Sequence, residues 1–220
     1  MFGIVVALKK EAEYFLNTLS NKAKFMLGDK PAYSGSICGK ELVLVISGIG
    51  KVSAAISTQL LIDKYSPDFI LNFGTAGGMT KDLEIGEYVI CENAMQYDFD
   101  VTYLDDVKVG YIQEYDRVLF PCASVNGIKL KKVNVASGDR FNDDINDINT
   151  IVNSNCSVRD MEGGAIAQTC LTNSIPLVIV KGITDVYGKT PSNFQFYDNL
   201  VKLCKGFPAV LESVIKAYSK

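Results

Sequence analysis

The chain has 220 residues, enough for one α/β domain with a sizeable core, and 48% hydrophobic with 21% charged residues excludes disorder on compositional grounds. A net charge of -3 gives it no general attraction for phosphate backbones and argues against nucleic acid as a partner. It contains no histidine, which removes Ser-His-Asp and Cys-His catalysis and every histidine-ligated metal site.

The first apolar run, 2–8, lacks a basic leader and a small-residue cleavage site, and it reads as a buried strand and not a signal peptide. Further strand-like runs, rich in Val and Ile, stand at 41–47, 68–74, 86–91, 133–137 and 177–183. Helical patterns fall at 10–20, 51–65, 161–173 and 195–218. In 51–65, Val52, Ala55, Ile56, Leu60 and Ile62 lie near helical spacing, and Pro67 stops the helix. The region 95–130 carries turn residues and mixed charge without a sustained period and reads as strand and loop. Lys129, Lys131 and Lys132 read as a solvated strand edge. No apolar run reaches the roughly 18–20 residues of a membrane span. Six cysteines, at 38, 91, 122, 156, 170 and 204, form no C-x-x-C pair. They read as free thiols of a reducing cytoplasm. Strands alternating with helices predict one α/β domain over 1–220 with a largely parallel sheet, whose ligands bind at the carboxyl ends of strands.

Two glycine turns follow strands. In Ser47-Gly48-Ile49-Gly50-Lys51 a strand runs into a helix N-terminus, the place for an anion. Ser53 stands where a dinucleotide motif has its third glycine, and the spacing is not that of a P-loop. A tight packing turn explains this segment equally well. The second, Asn72-Phe73-Gly74-Thr75-Ala76-Gly77-Gly78, ends an apolar strand, and its glycines let a ligand approach the backbone. Three carboxylates also stand at strand-to-helix junctions. Glu11 is either a helix-dipole glutamate or a catalytic base, Asp185 either a turn aspartate or an acid above the sheet, and Glu162 either a first-turn glutamate beside a capping Asp160 or a buried ligand-binding carboxylate. Converging on one site, three such acids suit glycosidic chemistry: one protonates the leaving group, one activates water and one binds sugar hydroxyls.

The segments SGIGKVSAA (47–55), FGTAGGM (73–79), IGEYVI (85–90), SGDRF (137–141), MEGGAIAQ (161–168) and ITDVY (183–187) occur in an order that resembles the nucleoside phosphorylase/hydrolase superfamily. Within it the chain is most similar to the 5'-methylthioadenosine/S-adenosylhomocysteine nucleosidases. The resemblance implies a nucleoside phosphorylase-like fold, a central mixed and mostly parallel sheet surrounded by helices, in a homodimer; no metal or organic cofactor is implied, since the sequence shows no ligand cluster. It implies that Glu11 activates the attacking water and Asp185 protonates N7 of the departing adenine. Met161 and Glu162 would hold the ribose, Phe141 would stack on the base, and Asn142 would present backbone groups to the purine. Thr75 would stand near the attacking water, with Ile49 and Phe194 around the 5' substituent. The phosphorylases hold phosphate with a G-D-P-x-R loop and an arginine at the second turn. Here the first loop is Leu8-Lys9-Lys10-Glu11 and the second position is Asn72, so hydrolysis of a nucleoside is expected. Lys181 replaces the family's usual arginine, and 103–132 departs from the family's aromatic stretch and helix. A phosphorylase, a hydrolase of another nucleoside such as futalosine, and a non-catalytic nucleoside binder remain the alternatives.

Overall fold

The computed structural model describes residues 1–104, 106–189 and 192–218, the side chains of 192–195 apart. Strand β1 (Phe2–Val6) is apolar and buried at every position. It leads into α1 (Lys9–Thr18), followed by β2 (Ser20–Leu27), β3 (Lys30–Ile37) and β4 (Lys40–Ile46). Helix α2 (Lys51–Tyr65) precedes β5 (Ile70–Gly78) and β6 (Tyr88–Gln96). After a loop with one short 3-10 turn, Gln113–Tyr115, come β7 (Phe120–Pro121) and β8 (Lys131–Ser137). The chain continues through α3 (Ile145–Asn153), β9 (Val158–Asp160), α4 (Gly163–Thr172), β10 (Leu177–Val186) and α5 (Ser192–Tyr218).

The strands form one mixed sheet that closes on itself. β10 pairs in parallel with β5 and antiparallel with β6, β6 and β8 are parallel, β8 and β9 are parallel, and β9 returns antiparallel to β5. From this ring a wing extends through β1, β4, β3 and β2. Alternation along β1 and β4 sends Val5, Val43 and Val45 into the core under α2 and α4, and Ile4, Val6, Leu42 and Leu44 into the core under α1 and α5. In the second core, Phe15 of α1 stacks on Phe207 of α5 at 5.5 Å and meets Phe73 of β5 edge-on at 5.2 Å.

Element by element, the expected strands and helices are present with shifted ends. β5 runs on through the glycine turn to Gly78, and β10 runs on to Val186, past the expected end at 183. The hairpins β2–β3 and β3–β4 were not expected, nor were α3 and β9. The face of α2 is a correction. Its buried residues are Ala54, Ser57, Thr58, Leu61 and Ile62, whereas Val52 and Ile56 are 70% and 49% exposed. Small residues let the first turns of the helix lie close on their neighbours, Leu61 and Ile62 bury its end, and Val52 and Ile56 point outward. Lys131 and Lys132 begin β8 at an end bonded only to β6, and they pair with Asp82 and Glu92. No helix among the described residues is long and apolar enough to cross a membrane.

Candidate active site

Sequence position and helix periodicity place Glu11 inside. It is one turn before Phe15 on α1, and both lie on the face packed toward the sheet. Both its oxygens are engaged: Oε2 accepts from the Leu8 amide at 3.0 Å, and Oε1 from the Thr75 amide at 2.8 Å and the Thr75 hydroxyl at 3.1 Å. The first bond is one half of a capping box; Leu8 has no hydroxyl to make the other. Burial raises the Glu11 pKa, against the lowering pull of the Leu8 amide, Lys181 and Thr75.

Glu162 is the N-cap residue of α4, but its side chain makes no bond to its own helix. Instead Oε1 accepts from the Gly50 amide at 2.9 Å, while the next amide, Lys51, donates to Asp139 at 2.8 Å. The positive end of α2 therefore binds an anion as its glycine turn suggested, and the anions are the protein's own carboxylates. Gly50 has φ +97, and a Cβ there would come within 3.1 Å of Asp139 Oδ1. Burial, and then the neighbouring Asp160 carboxylate, push Glu162 up to about 7.

Asp185 is set by a bulge. The β10–β5 register shifts between Ile183 and Asp185, so Thr184 is the extra residue and Asp185 falls opposite Gly77. The Thr184 hydroxyl lies 2.6 Å from Asp185 Oδ1. A Cβ on Gly77 would stand 2.8 Å from Asp185 Oδ2, so the glycine leaves the room in which this carboxyl sits.

A cavity of about 230 Å³ joins these groups, and its walls include Glu11, Ile49, Thr75, Phe141, Met161, Glu162 and Asp185. Seven of the nine residues singled out in the sequence thus meet in one place. Asn142 does not line it. Its side chain donates to Asp147 and accepts from Arg159, which holds the loop behind Phe141. The side chain of Phe194 lies outside the described residues. The sequence reading passed over Phe196 and Tyr197 of α5, which also line the cavity. Phe196 meets Phe141 edge-on at 5.6 Å and Tyr197 at 5.3 Å. The run Phe194-Gln195-Phe196-Tyr197 was the signal that could have found them. A larger, more open groove of about 490 Å³ between α2 and α4 contains none of the three acids.

A family model described as the phosphorylase superfamily matches residues 1–216. The 5'-methylthioadenosine/S-adenosylhomocysteine nucleosidase of Shewanella pealeana is 31% identical over 209 residues, which are 89% of this chain and 90% of that protein. The chain belongs to the nucleosidases of this superfamily. Among solved structures, the nucleosidase of Neisseria meningitidis in complex with methylthio-immucillin-A is 26% identical with a TM-score of 0.88, covering 98% of both chains. Futalosine hydrolase of Helicobacter pylori is 25% identical with a TM-score of 0.89, covering 98% of this chain and 97% of that one. As a nucleosidase the chain keeps the mixed phosphorylase-like sheet, and the three acids stand where its strands end.

Proposed function

We propose that this nucleosidase hydrolyses the N-glycosidic bond of 5'-methylthioadenosine, S-adenosylhomocysteine or a related 5'-modified adenosine and releases adenine. The observation that carries the reading is that Glu11 takes the Leu8 amide at the first strand-to-helix turn and both Thr75 donors at the carboxyl end of β5. The Leu8 amide and the Thr75 amide and hydroxyl bind a carboxylate of the protein itself. A phosphate would find those donors taken and a negative charge beside it. Water has no such conflict, and the buried carboxylate is a strong base toward it.

In this mechanism the water oxygen attacks C1' of the ribose and gives its proton to Glu11. The C–N bond breaks toward the base, and Asp185 delivers a proton to N7, so adenine leaves neutral. Glu162, held through one oxygen by Gly50, uses the other for ribose hydroxyls, with Met161 packed below the sugar. Phe141 covers the base, backed by Phe196. Ile49 and the aromatic rim of Phe196 and Tyr197 receive the 5' substituent. We further read the outward Val52 and Ile56 of α2 as part of a homodimer contact, and the six free cysteines as suited to the cytoplasm.

The test is release of free base from methylthioadenosine, S-adenosylhomocysteine, adenosine, inosine and futalosine, each with and without phosphate. Adenine release from the thio compounds without phosphate is the expected result. Release only with phosphate overturns hydrolysis. Turnover of futalosine in place of the thio compounds moves the specificity to the second reading, which the similarity to futalosine hydrolase favours.

A further inference from the structure

Beneath the three acids lies a second layer of charge that the mechanism above does not use. The Lys181 ammonium, on β10, pairs with Asp160 of β9 at 2.7 Å, and both side chains are 1% exposed. Burying two ions is costly unless each is held by further bonds. Asp160 has them: Oδ1 accepts from the Ser137 hydroxyl and Oδ2 from the Gly163 amide at 2.9 Å. Ser137 in turn accepts from the Gly164 amide at 2.6 Å. Asp160, anchored by Lys181, and its partner Ser137 therefore grip the first two amides of α4, the helix whose N-cap residue is Glu162.

We infer that Asp160 and Lys181 form a positioning pair for Glu162, their buried ion pair fixing the start of the helix on which Glu162 is the N-cap residue. The inference rests on the nucleosidase reading for the role of Glu162, while the pair itself is a matter of geometry. Asp160 is two residues from Glu162 and lines the same cavity, and its negative charge resists ionisation of Glu162. Lys181 favours that ionisation. Burial alone would pull the ammonium down, but Asp160, Glu162 and Glu11 together carry it above the ordinary lysine value, so it stays charged. The groups facing this cluster are Glu11 from α1, Arg159 from β9, Asp185 from β10, and Cys91 and Cys122 from the side of β6. At the α2 end stand Asp139 and the Lys51–Asp98 pair. A lysine here makes a point contact with one carboxylate oxygen, which suits the short Asp160 side chain.

The test follows the Glu162 carboxyl by NMR in protein labelled at the glutamate carboxyl carbon, with Glu162→Gln identifying its signal. The pH profile of kcat/KM is recorded in parallel. Asp160→Asn moves the Glu162 midpoint to lower pH, and Lys181→Met moves it to higher pH, each by about one unit or more. The double variant Asp160→Asn with Lys181→Met returns it toward the wild-type position, and Lys181→Arg keeps it there. If Lys181→Met does not fold, Asp160→Asn and the double variant decide by the same comparison. Single variants that move the midpoint the same way, or not at all, overturn the pair. Opposed displacements in the single variants, with a wild-type protein that releases no base, keep the pair and defeat the nucleosidase reading. Normal base release with an unmoved midpoint does the reverse.

Discussion

The floor and the rim of the cavity are built on opposite terms. Glu11, Glu162 and Asp185 on the floor are 3%, 7% and 1% exposed, and each is bonded to backbone or to a neighbouring hydroxyl. Ile49, Phe141 and Tyr197 on the rim are 57%, 52% and 75% exposed and are held by ring contacts or by nothing polar. A floor of fixed charges can do one kind of chemistry well, because its groups need no rearrangement as charge develops. A rim of exposed apolar side chains can admit different substituents at little cost. The reaction should therefore be sensitive to single atoms of the floor and tolerant of whole side chains at the rim.

The largest test of that contrast is Asp185→Asn, expected to lower kcat by about 10³-fold or more with folding unchanged by circular dichroism. Near-normal turnover would remove the proposed acid. Glu11→Gln follows, with a loss of about 10²–10³-fold in single-turnover rate, since the amide still accepts a hydrogen bond but cannot take a proton. Glu162→Gln should cost about 10–100-fold in kcat/KM through weaker bonds to the ribose hydroxyls.

The same variant carries a stability signature. A carboxyl raised in the folded state contributes stability fully below its ordinary value of 4.5, and that stability is lost as pH rises through about 7. Free wild-type protein should thus weaken across that window. Glu162→Gln should abolish this dependence and raise the thermal midpoint at pH 8, a trade of stability for function seen by calorimetry. At the rim, Phe141→Ala should raise KM about ten-fold with kcat nearly kept. Tyr197→Ala should change KM by about two- to five-fold and differ among 5' substituents; a loss of kcat comparable to Glu11→Gln would erase the distinction between floor and rim.

Legibility in the sequence followed the same division. Of the floor residues, Glu11 and Asp185 sit at the ends of β1 and β10, whose unbroken apolar runs mark strands buried on both faces, whereas Glu162 follows the short, unexpected β9. The junctions of β1 and β10 could be found without a structure. Glycine 77 and the bulge at Thr184 could not, because a register shift depends on the partner strand. The hairpin β2–β3 stayed hidden since Ser20–Lys24 are all exposed and show no apolar alternation, although Gly28-Asp29 between the strands is a hairpin signal. Helix α3 has few strong helix formers; Asp144, which caps it by accepting from Asn146, was the available cue. The burial of Lys181 was illegible for another reason: a lysine reads as solvated until a carboxylate from a distant strand is brought to it.

The closing of the strand ring also has a consequence in time. β10 is the last strand in the chain, and its partner β5 is about a hundred residues earlier, with β6 on its other side. Pairings so distant in sequence form late, because the chain between them must first be ordered. β10 carries both Asp185 and Lys181, so the proposed proton donor and the cation of the second layer arrive in one event. Recovery of activity on refolding should therefore track the pairing of β10 with β5 and β6.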